Sequence, residues 1–75
     1  MMTVYVKAIG NLAELAPAGT RVIVPRGARL QDVFGKLGIK AEEIMLAFVN
    51  GNLANPSSPL VPECQVYLSP FICGG

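Results

Sequence analysis

The sequence predicts an α+β domain in which one main helix packs across one face of a mixed four- or five-stranded sheet. Three observations carry that reading. With 75 residues there is room for one domain and a thin core. A single stretch, Leu30 to Leu37, has apolar residues at helical spacing. On both sides of it lie short runs with strand character, and a domain this small needs two layers to bury both kinds of element.

The elements follow in order. Thr3 to Ile9 is rich in β-branched and aromatic residues; Val4, Val6 and Ala8 share one face, and Thr3, Tyr5 and Lys7 the other. Gly10-Asn11 ends this strand, and Leu12 to Ala16 makes one helical turn before Pro17 and Gly19. Arg21 to Val24 is a second strand that pairs antiparallel with the first. Leu30, Val33, Phe34 and Leu37 then form the helix stripe, with Gly38 placed to stop it. No Ser, Thr, Asp or Asn stands at the expected N-cap, and Gly35 costs about 1 kcal/mol relative to Ala, so burial must supply what propensity lacks.

Met45 to Val49 is nearly continuous in apolar residues, as in a central strand buried on both sides or paired by neighbours. Asn50-Gly51 is a hairpin turn, and Asn52 to Ala54 the returning strand. Asn55 to Pro59 reads as a stiff loop, and Leu60 and Val61 as plugs at the core edge. Cys64 to Leu68 is the last strand, with Cys64, Val66 and Leu68 facing one way. A sheet with its first and last strands side by side would release the C-terminal residues from a firmly held strand.

Composition excludes several functions. Six basic and five acidic residues leave a net charge of +1, without the basic footprint of a nucleic-acid binder. Histidine is absent, which removes Ser-His and Cys-His activation and His-ligated metal sites. At 52% hydrophobic and 15% charged the chain is too apolar for disorder, yet its longest apolar run, Ile44 to Val49, is far short of the ~20 residues that span a bilayer. Met1 to Ile9 lacks the pattern of a signal peptide, and Cys64 and Cys73 are too far apart along an extended segment to bridge. Two free thiols and a cytoplasmic location are expected, with neither nucleic acid nor membrane among the partners.

Beyond Leu68 the pattern changes to Ser69-Pro70-Phe71-Ile72-Cys73-Gly74-Gly75. Residues 1–68 are therefore expected to form the domain and 69–75 a projecting tail, released where Pro70 lacks the N–H to continue a ladder. A carboxylate preceded by two residues without side chains can thread a narrow, water-excluding cleft and be activated there as an acyl donor. The same two glycines also suit a frayed end.

In these residues the chain resembles the ubiquitin-related sulfur carriers of the MoaD/ThiS type, the small subunit of molybdopterin synthase and the thiamine-biosynthesis carrier. The resemblance covers nearly the whole chain and rests on Phe48-Val49-Asn50-Gly51, Ser58-Pro59-Leu60 and the run from Val66 to Gly75. It implies a β-grasp fold and a carrier that is not an enzyme alone. An E1-like adenylating enzyme would use ATP to activate Gly75, and a sulfur donor would convert it to a thiocarboxylate. The acceptor would be a synthase, either the large molybdopterin synthase subunit or thiazole synthase. Gly75 would carry the acyl group and Gly74 would let the tail enter. Pro70, Phe71, Ile72 and Cys73 would meet the partner, Phe71 and Ile72 serving either as contacts or as packing at the core edge.

The resemblance implies no cofactor or metal bound by the chain itself. Departures are Pro62-Glu63 where the family commonly has Gly-Asp, Phe71 in place of a second proline, and Cys73 where a small apolar residue is usual. Cys73 is then either a small hydrophobe or a thiol relay. A ubiquitin-like protein modifier and a purely structural module are the alternative functions. Tyr5, Ile23, Phe48 and Tyr67 are either core or an uncovered docking face.

Overall fold

The computed structural model describes residues 1–71. Strand β1 (Met2–Ala8) leads through a 3-10 turn (Gly10–Leu12) to β2 (Thr20–Val24) and then helix α1 (Leu30–Leu37). A second 3-10 turn (Ala41–Glu43) precedes β3 (Ile44–Val49), β4 (Asn52–Ala54) and β5 (Gln65–Pro70). The five strands form one sheet in the order β2-β1-β5-β3-β4. β5 runs parallel to β1 and antiparallel to β3, so the last strand sits at the centre beside the first.

Strand alternation and one helix place the core. Val4, Val6, Val24, Cys64, Val66 and Leu68 turn toward α1 and are buried, meeting Leu30, Val33 and Phe34 from the helix. Cys64 is a free thiol within this layer. The helix has the expected bounds, and its start shows why the missing cap residue is tolerated. The orphan N–H groups of its first turn find carbonyls in the 55–59 loop: Leu30 N donates to Ser58 O at 2.9 Å and Gln31 N to Pro56 O at 2.8 Å. Asp32 Oδ2 accepts from Arg29 N at 2.7 Å, and Arg29 Nη1 reaches Ser57 O at 2.7 Å. Asn55 Oδ1 braces the loop by accepting from Ser57 N and Oγ.

The Asn50-Gly51 turn has φ of 51° and 82°, the paired left-handed geometry that closes a two-residue hairpin. Asn50 does more than turn. Its N donates to Gln65 O at 2.7 Å and its Oδ1 accepts from Gln65 N at 2.8 Å, tying the hairpin to the start of β5.

Of the two readings of β3 the structure selects pairing by neighbours: it is flanked by β4 and β5, with only Ala47 buried and Met45 and Leu46 exposed. Two expectations are corrected. Of Leu60 and Val61 only Leu60 enters the core; Val61 is exposed. β5 does not stop at Leu68. Ser69 and Pro70 remain in the strand and are buried, and Phe71 N still donates to Glu43 O at 3.3 Å. A register shift between Ile44 and Leu46 makes this possible: it sets Pro70 opposite Ile44 and brings Glu43 level with Phe71, so pairing resumes past the residue that has no N–H.

Candidate functional site

The site is the end of β5 and the residues that follow it. Leu68 O accepts from Ile9 N at 3.2 Å, which holds the strand end against the residue after β1. Pro70 is buried within the chain's own fold, its ring close against Gly10. Phe71 is 58% exposed and stands at the surface where the strand ends. Ile72, Cys73, Gly74 and Gly75, the other tail residues singled out from the sequence, lie outside the described residues.

The face of the sheet opposite α1 adjoins this end. Tyr67 and Phe48 are cross-strand partners with ring centroids 6.2 Å apart and planes at 59°, a tilted contact favourable to both rings. Phe48 is in turn paired with Leu53, and Leu46 with Ser69. Ile23, Leu46, Leu53 and Tyr67 are all exposed, and Tyr5 and Phe48 are half-buried. The four residues flagged from sequence as core or docking face are thus on the uncovered side. Leu46 and Leu53 were missed. The signal for Leu53 was present, since a two-residue Asn-Gly turn places it directly across from Phe48. Lys7, opposite Tyr67, and Arg21, opposite Tyr5, add positive charge to this face.

Among the described residues no group of three or more His, Cys, Asp or Glu side chains could hold a metal ion. No helix among them is long and apolar enough to cross a membrane. What the arrangement provides is a last strand, β5, held in the middle of the sheet next to an apolar surface edged by cations.

No protein-family model matches the chain, and no curated protein matches it. Solved structures do. A protein described as molybdopterin converting factor, subunit 1, from Pyrococcus furiosus is similar with a TM-score of 0.74 at 20% identity, over 96% of this chain and 100% of that one. Two structures of small archaeal modifier protein 1 from Haloferax volcanii are similar at 20% identity. One has a TM-score of 0.77 over 96% of this chain and 100% of that one. The other has 0.72 over 97% and 99%. With its five-stranded mixed sheet and single helix, the chain has the β-grasp, ubiquitin-like fold of these small proteins.

Proposed function

We propose that the chain is a sulfur carrier. The Gly75 carboxylate attacks the α-phosphate of ATP on an E1-like adenylating enzyme, releasing pyrophosphate and forming an acyl-adenylate. A sulfur nucleophile from a donor then attacks the acyl carbon, AMP leaves, and a C-terminal thiocarboxylate remains. Its sulfur passes to an acceptor synthase of the molybdopterin or thiazole type. ATP belongs to the partner; the carrier contributes its acyl group, its docking face and, at Gly74 and Gly75, backbone narrow enough for a closed cleft. The setting for this chemistry is the cytoplasm.

The observation that supports the reading is that β5, the central strand, extends to Pro70, five positions before the Gly75 of the sequence. The shared fold with a protein described as a molybdopterin converting factor subunit supports it. A second reading, a modifier joined through Gly75 to lysine amines, is favoured by the equal likeness to small archaeal modifier protein 1. Both use the same activation and differ in the nucleophile that follows.

Incubation of the whole chain with an E1-like enzyme, ATP and sulfide, followed by intact mass, separates them. A species heavier by about 16 Da, oxygen replaced by sulfur, is the expected product. Lysine adducts would instead establish the modifier, and an unchanged mass would leave only a structural module. Cys73→Ala is expected to retain thiocarboxylate formation, and deletion of Gly75 to abolish it with the melting temperature unchanged.

A further inference from the structure

Two contacts hold the chain where β5 ends. On one side Gly10 lies against the Pro70 ring, so closely that a Cβ at position 10 would sit 3.0 Å from Pro70 Cγ. Its φ of +66° is one that side-chain-bearing residues adopt only with strain. On the other side is the Phe71–Glu43 hydrogen bond, made beyond the proline.

We propose that Gly10 is a positioning residue for the base of the tail: by seating Pro70 it holds the chain in place as far as Phe71. The inference rests on the reading of Gly75 as the acyl carrier and adds a geometric limit to it. Seven residues counted from Ser69 would span about 25 Å, whereas the four after Phe71 span at most about 14 Å. The partner's cleft must therefore open within that shorter distance of Phe71, at the end of the sheet where β1 finishes and β3 begins. A fixed base also lowers the conformational entropy lost when the remaining residues thread the cleft.

Nitrogen-15 relaxation on the whole chain tests this. The wild-type Phe71 amide is expected to show an order parameter near 0.85, that of rigid backbone. In Gly10→Ala the new methyl group presses on Pro70, and Phe71 falls below about 0.6 while Val66 and Leu68 keep their values. Gly19→Ala is the control: Gly19 has a φ of +86° but no atom within 4 Å of its would-be Cβ, so it brings backbone strain without touching the tail. Phe71 stays rigid there. Pro70→Ala withdraws the ring from Gly10 with position 10 intact, and loosens Phe71 even if Gly10→Ala does not fold. The proposal is overturned by a wild-type Phe71 already below about 0.6, by a Phe71 rigid in both Gly10→Ala and Pro70→Ala, or by equal loosening in Gly19→Ala. No activating enzyme takes part, so a failure to form thiocarboxylate overturns the reading of Gly75 alone, and a loose Phe71 in the wild type overturns the clamp alone.

Discussion

The face of the sheet beneath α1 and the face turned away from it are made of alternate residues of the same strands, yet they differ in kind. Beneath the helix stand Val4, Val6, Val66 and Leu68, aliphatic and sealed from water. On the other side Tyr5, Phe48 and Tyr67 lie among Lys7, Arg21 and exposed leucines. Branched aliphatic side chains interdigitate with a helix at interior density, whereas aromatic rings beside cations suit a surface that is wet when free and covered when docked. Stability is thereby concentrated on one face, which leaves the other free to serve recognition.

Substitutions can break or sharpen that division, beginning with the largest effect. Leu68→Ala opens a cavity in the covered face at the strand that carries the tail and is expected to cost about 2–5 kcal/mol, read from urea unfolding. A cost below about 1 kcal/mol would mean that the helix packs too loosely to be the main source of stability. Asp32→Ala removes the acceptor for Arg29 N at the helix start, with an expected loss of about 1 kcal/mol by thermal melting. If no loss is measurable, the carbonyls of Ser58 and Pro56 are sufficient to cap α1. Smallest in stability is Leu53→Ser on the open face, expected within about 0.5 kcal/mol of wild type. The same variant should slow thiocarboxylate formation by an E1-like enzyme; an unchanged rate would place partner docking elsewhere.

The legible parts of the sequence were those governed by local pattern. The helix from Leu30 to Leu37, the Asn50-Gly51 turn and the inward alternation of Val4, Val6, Val66 and Leu68 all follow from spacing within a few residues. What escaped the reading depends on distant partners. The α1 cap is supplied by a loop more than twenty positions later, and the exposure of Met45 and Leu46 depends on the sheet having only one helix to cover it. Pro70 was read as a strand breaker, as its missing N–H suggests. The bulge in β3 that lets Phe71 rejoin the ladder is invisible from the β5 segment alone. Around Pro70 and Phe71, the contacts from Gly10 and Glu43 escaped the reading because they come from far away in sequence.

The central place of β5 also has a consequence for how the molecule is made. Its pairing with β1 joins positions about sixty residues apart, such as Val6 with Val66, so the sheet cannot close until the residues of β5 are available. Such non-local pairing is formed late and slowly compared with the helix and the β3–β4 hairpin. A nascent chain that lacks β5 has β1 and β3 as two open edges with no strand between them. Completion of the sheet thus waits on its last strand, and on the proposed function an activating enzyme that docks on the assembled open face would pass over unfinished chains.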